Sequence, residues 1–108
     1  MNKLIIDTLK NLGVPVVFQK YSGIETTYIT FFNYLENAEG YADNEETSIG
    51  YYIQVDVWSK SDYSTLVVSV LEALKLAGFR RTYVTEFYEN DTKIYHKLIR
   101  VTKNKEII

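Results

Sequence analysis

Residues 51–78, YYIQVDVWSKSDYSTLVVSVLEALKLAG, decide the fold. Tyr51, Ile53, Val55 and Val57 alternate with Tyr52, Gln54, Asp56 and Trp58, the period-2 pattern of a strand with two unlike faces. Ser59-Lys60-Ser61-Asp62 breaks that alternation with residues that favour turns and helix N-caps. From Tyr63 the period becomes helical, with Val67, Val70, Leu71, Leu74 and Ala77 on one stripe. Lys75 suits the negative end of the helix dipole. Gly78 suits a left-handed residue just past the helix, and Phe79 is placed to close a Schellman motif on Leu74. A long strand therefore feeds an amphipathic helix, and the first four odd-numbered positions are expected to face Val67, Val70, Leu71 and Leu74. No catalytic chemistry is visible in this stretch.

Working outward, Asn2 is expected to cap a helix through Leu12, ended by Gly13 and Pro15. Val16-Val17-Phe18 reads as a short strand. Residues 26–35, TTYITFFNYL, read as a strand because nearly every side chain is β-branched or aromatic. Residues 36–50, ENAEGYADNEETSIG, carry five carboxylates and no apolar period, so a long acidic surface loop is expected at 36–48. Residues 80–88 and 93–102 read as a hairpin, with a frayed end from Lys103 to Ile108. The expected fold is α+β, in the order α-β-β-β-α-β-β. Its sheet is antiparallel-rich, with the N-terminal and central helices packed on one face.

A chain of 108 residues is expected to be a single domain, residues 1–108, with enough core to need neither disulfide nor metal. It has no cysteine, which removes thiol nucleophiles and thiolate metal sites. No apolar run is long enough for a membrane span. The net charge of −2 argues against a general nucleic-acid binder. Its distribution is uneven: residues 1–60 carry 4 basic and 8 acidic side chains, and residues 61–108 carry 8 and 6. Ten Tyr, five Phe and one Trp suit half-wet surfaces and interfaces as well as strands.

Candidate chemistry is sparse. His96, the one histidine, is expected beside Thr85 across the hairpin. Asp56 reads as a solvent- or interface-facing residue paired with Lys97 or Arg100, with a carboxylate pair with Glu86 as the catalytic alternative. Basic residues of the last hairpin, with Tyr83, Phe87 and Tyr95 among them, form a weak nucleic-acid pattern diluted by carboxylates. The stronger signal is a second sheet face displaying Tyr28, Phe32, Tyr34, Tyr52 and Trp58, too much apolar surface for a monomer to leave wet. Tyr41, the aromatic of the acidic loop, and Arg80 and Arg81 complete the expected interface.

The run YIQVDVWSKSDYSTLVVSVLEAL resembles the small tail-completion, or tail-to-head joining, proteins of long-tailed bacteriophages and prophages. The likeness lies in Val55-Asp56-Val57-Trp58, the polar turn from Ser59, and the helix spacing Leu66, Val70, Leu74. Tyr28-Ile29-Thr30-Phe31 resembles the family's early strand, and Tyr95-His96-Lys97 with Ile99 its closing strand. Before Tyr28 the chain departs, with Thr26-Thr27 where the family often has a proline-rich approach. The resemblance implies a virion component without catalytic residues or cofactor, made in the host cytoplasm and resident at the head–tail junction. It implies self-assembly into a ring, a hexamer in the virion, between tail-tube protein and head connector proteins. From the residues alone, a small ligand-binding or regulatory domain of a bacterial cell is the alternative.

Overall fold

The computed structural model describes residues 1–42 and 45–106. Its elements are α1 (Asn2–Leu9), a 3-10 turn (Lys10–Leu12), β1 (Val16–Phe18), β2 (Tyr28–Ala42), β3 (Glu45–Ser59), α2 (Ser64–Leu76), β4 (Arg80–Glu89) and β5 (Ile94–Glu106). The class is α+β as expected, while the 3-10 turn is an element the expected order lacks. The five strands form one mixed sheet in the order β1-β2-β3-β5-β4. β1 runs parallel to β2, and every other pairing is antiparallel.

The core lies between the sheet and both helices. Ile53, Val55 and Val57 of β3 meet Val67, Val70 and Leu74 of α2, with Ile5 and Leu9 of α1 and Ile29, Phe31, Ile99 and Val101 of the flanking strands. Tyr51 and Leu71 pack on this cluster while half-buried. The strand-to-helix facing drawn from the period change is therefore the one observed.

Helix ends show which local signals the sequence carried. Gly78 adopts φ +92°. Its N–H reaches the Lys75 carbonyl at 3.0 Å, and the Phe79 N–H reaches the Leu74 carbonyl at 3.0 Å, the two bonds of a Schellman motif. Lys103 adds a cation there, its Nζ donating to the Ala77 carbonyl at 3.0 Å. At the other end of α2, the Asp62 Oδ1 accepts from the Ser64 N–H at 3.0 Å and from the Ser64 hydroxyl at 2.5 Å. In α1 the N-cap position belongs to Met1, and Asn2 is already helical, so the expected Asn2 cap is not formed.

The Ser64 bonds, side-chain first and backbone second, hold the Asp62 carboxyl below its ordinary 3.8. A depressed carboxylate stabilises the fold above its unfolded pKa and loses that contribution as pH falls through the folded value. Acid titration of the unfolding midpoint should therefore show a steeper loss below about pH 4 in wild type than in Asp62→Asn. Parallel acid limbs would show that the Asp62 cap contributes nothing.

The acidic stretch differs most from expectation. Where the sequence predicts a loop at 36–48, β2 continues to Ala42 and β3 begins at Glu45, paired from Glu36↔Tyr51 to Ala42↔Glu45. Asp43 and Asn44 lie outside the described residues. Register shifts at Asn33/Leu35, Ala38/Gly40 and Gly40/Tyr41 let a Gly-containing, acid-rich run keep pairing by bulging. Fifteen residues at about 3.4 Å each reach about 50 Å, in keeping with the molecule's long axis of 53 Å. Of the expected frayed end, Lys103 to Glu106 are likewise strand, paired with Tyr51 to Ser48, while residues 107 and 108 lie outside the described residues.

Candidate interaction surface

With both helices on one side, the other side of the sheet stays open. Tyr28, Thr30, Phe32 and Tyr34 reach it from β2, and Tyr52, Gln54, Asp56 and Trp58 from β3. His96, Leu98 and Arg100 follow from β5, and Tyr83, Thr85 and Phe87 from β4. Among the described residues only Tyr21, in the connection before β2, folds onto this side, stacking on Tyr28 at 4.4 Å.

Neighbouring strands set the rings in a row. Tyr28 lies 6.1 Å from Trp58 at 19°, and Trp58 lies 3.8 Å from the His96 imidazole at 11°. Phe87 approaches the far side of His96 at 5.8 Å. Each aromatic pair is worth about 0.5–1.5 kcal/mol beyond its burial, so the row stiffens four strands against one another. The Trp58 indole N–H donates to Thr30 Oγ1 at 2.9 Å, which fixes the ring's direction. Burial, then the charges of Glu89 and Tyr21, raise the Tyr28 phenol above its ordinary 10.0.

Beneath the row sits a polar chain. Asp56 is 4% exposed, so its carboxylate needs partners. His96 Nε2 donates to Oδ1 at 2.5 Å, and the Gln54 amide donates to Oδ1 and Oδ2 at 3.0 and 3.1 Å. Arg100 Nε then donates to Gln54 Oε1 at 3.3 Å, and its guanidinium lies 4.8 Å over the Tyr34 ring. Tyr34 in turn meets Tyr52 at 6.2 Å. The chain ties β2, β3 and β5 together and sets Arg100 and Tyr34 at the surface.

Several expected pairings are corrected by this geometry. His96 sits across from Phe87 rather than Thr85, because the hairpin pairs Glu89 with Ile94 and its turn is displaced by one residue. Asp56 is bound to His96 and Gln54. Lys97 and Glu86 are paired with each other in register on the helix side, where Glu86 accepts from the Tyr63 hydroxyl at 2.5 Å. Burial and that bond to Glu86 push the Tyr63 phenol far above its ordinary range. A catalytic pair of Asp56 with Glu86 is thus excluded by their opposite facing. The expected nucleic-acid pattern also divides, with Tyr83, Phe87 and Arg100 on the open face and Tyr95 and Lys97 behind it.

Of the expected interface residues, Tyr28, Phe32, Tyr34, Tyr52 and Trp58 share the open face, but Tyr34 alone among them is exposed. The more exposed members are ones the sequence did not single out for it: Tyr83 at 53%, Phe87 at 50% and Leu35 at 43%. Period-2 alternation in 80–88 could have placed Tyr83 and Phe87 on one face, though not which face. Arg80 and Arg81 lie away from the aromatic row, lining a groove of about 610 Å³ with Val68, Leu71, Glu72 and Phe79. The Tyr41 side chain lies outside the described residues. Comparison with family models and with curated proteins found no match.

Proposed function

We propose that this chain is a structural protein of a long-tailed phage or prophage virion. It completes the tail and joins it to the head connector as a ring of identical subunits, without catalysis. The observation that carries this reading is the open sheet face: a rigid aromatic row from Tyr28 to Phe87, with Tyr34, Leu35, Tyr83 and Phe87 exposed on that face. Apolar surface of that kind, rimmed by polar groups, is surface that binds protein. The resemblance of Val55-Asp56-Val57-Trp58 and the following helix to the tail-completion family supplies the partner class. Within the fold, Asp56 holds His96 and the His96 ring stacks on Trp58, an arrangement that suits a stiff face.

The test is co-expression with the tail-tube protein encoded in the same gene neighbourhood, followed by electron microscopy. Tubes capped by rings at one end are the expected result. A folded Tyr34→Ser/Tyr83→Ser variant should cap few or none. Tubes left bare by the wild-type chain would overturn the reading. One observation favours the second reading, a small ligand-binding domain: the groove between α2 and β4 has the volume, about 610 Å³, of a small-molecule site.

A further inference from the structure

β4 is the outermost strand on one side of the sheet, and eight of its ten residues are exposed. Its inner side pairs with β5 along its length, and among the described residues nothing pairs with its outer side. An uncovered edge is a row of backbone donors and acceptors ready to take a further strand. Proteins usually blunt such an edge with lysine, proline or bulges. β4, RRTYVTEFYE, has neither lysine nor proline, and its bulge is confined to Thr82 near its start. It also carries the exposed rings of Tyr83, Phe87 and Tyr88.

The strand matches itself when reversed. Arg80 and Arg81 open it, while Glu86 and Glu89 lie toward its end. An antiparallel pairing of two copies therefore sets opposite charges together, whereas a parallel one sets like beside like. The ladder with β5 gives the register. Arg80, Arg81, Tyr83, Val84 and Thr85 lie across from Thr102 to Leu98, and Glu86 to Glu89 across from Lys97 to Ile94. Arg80 and Glu89 are thus equally far from Thr85, because the bulged Thr82 takes no partner of its own. A two-fold axis at Thr85 then pairs the whole strand: Arg80 with Glu89, Arg81 with Tyr88, Tyr83 with Phe87, and Val84 with Glu86. The faces agree at every step. Arg80, Tyr83, Phe87 and Glu89 lie on the open side, and Arg81, Val84, Glu86 and Tyr88 on the helix side. Cross-strand pairs of opposite charge and of two aromatics are stabilising ones. An axis at Glu86 would set two carboxylates face to face. An axis at Val84 would carry Tyr88 and Glu89 past the start of the other strand.

We infer that two copies of this chain pair through β4, antiparallel about Thr85, with Arg80 opposite Glu89 and Tyr83 opposite Phe87. The two five-stranded sheets become one of ten strands. A two-fold axis through the sheet keeps both open faces on one side, so the aromatic row that ends at Phe87 continues into Tyr83 of the second copy. In each copy α2 packs on β3 and β5, which leaves both β4 strands between the two helices. The contact is isologous and closes at two copies. It goes beyond the ring reading above and does not depend on it.

The chain has no cysteine, so a single introduced thiol reports alone. The full chain carrying Thr85→Cys, oxidised, should run without reductant as a dimer and nothing larger. Tyr83→Cys is the control. Its two copies lie about 14 Å apart along the paired strands, beyond the about 7 Å that a disulfide spans, and should stay monomeric. Exposed charges supply the second arm. Arg80→Glu and Glu89→Arg each set like charges together twice, and each should weaken self-association about tenfold in sedimentation equilibrium. Mixing the two variants restores an opposite charge at every pair and should restore the dimer. No dimer from Thr85→Cys, an equal dimer from Tyr83→Cys, or a mixture no tighter than its components overturns the pairing. Dimers with bare tubes leave the pairing standing and remove the tail reading. Capped tubes without dimers remove the pairing alone.

Discussion

A Phe31→Ala chain is expected to lose about 3–5 kcal/mol of stability, close to the whole margin of a small domain. Phe31 is 1% exposed, the bulkiest fully buried side chain among the described residues, and sits on β2 between Phe18 of β1 and Val55 of β3. Its ring meets Phe18 edge-on at 5.7 Å. Truncation removes both the transfer free energy and the contacts of the surrounding core, because the sheet cannot collapse into the void without breaking ladder bonds. Leu74→Ala on α2 should cost about 2–5 kcal/mol for the same reason, while Leu71→Ala should cost less because Leu71 is only half-buried. Urea unfolding followed by far-UV circular dichroism measures all three. Equal midpoints for Phe31→Ala and wild type would place the core elsewhere.

What the sequence carried and what it lacked divide along physical lines. The change of period at Ser59, the glycine at position 78 and the phenylalanine after it are local signals, and each reappears as a strand end, a left-handed residue and a 3.0 Å capping bond. The ribbon from Glu36 to Ser48 had no such signal. Glu, Asn, Ala and Gly have low strand propensity. The described residues of this run, through Ala42 and from Glu45, are held in β2 and β3 by partners in the adjoining strand and by bulges, which no alternation in the run itself reveals. Lys103 to Glu106 follow the same logic, since their partners Ser48 to Tyr51 lie over fifty residues earlier. The open face was legible as a set of alternating aromatics because facing depends only on parity. The displaced hairpin turn moved His96 from Thr85 to Phe87, yet kept it on the same face, since each strand slipped by one. Which side chains on that face stay wet was not legible, because coverage depends on ring stacking across strands.

The Asp56–His96 pair was also beyond the sequence, as forty residues separate its members, and it supports the second large prediction. His96→Phe keeps a flat ring for Trp58 to stack upon but removes the donor to Asp56 Oδ1. The carboxylate, 4% exposed, then holds only the Gln54 amide, at 3.0 and 3.1 Å. Losing a hydrogen bond to a buried carboxylate costs about 1.5–3 kcal/mol, most of it the desolvation penalty of an under-partnered acceptor rather than the worth of the bond. Removing the charge as well should return much of that loss. Asp56→Leu with His96→Phe fills the site with apolar atoms of similar bulk, and such replacements of whole pairs are often near neutral. Recovery should be incomplete, because the Gln54 Nε2 loses its acceptor, a cost of about 1–3 kcal/mol for an unsatisfied buried group. A double-mutant cycle on unfolding midpoints measures the coupling directly. A His96→Phe chain as stable as wild type, or a double variant no better than the single, would mean that Asp56 draws its compensation from outside this chain of contacts.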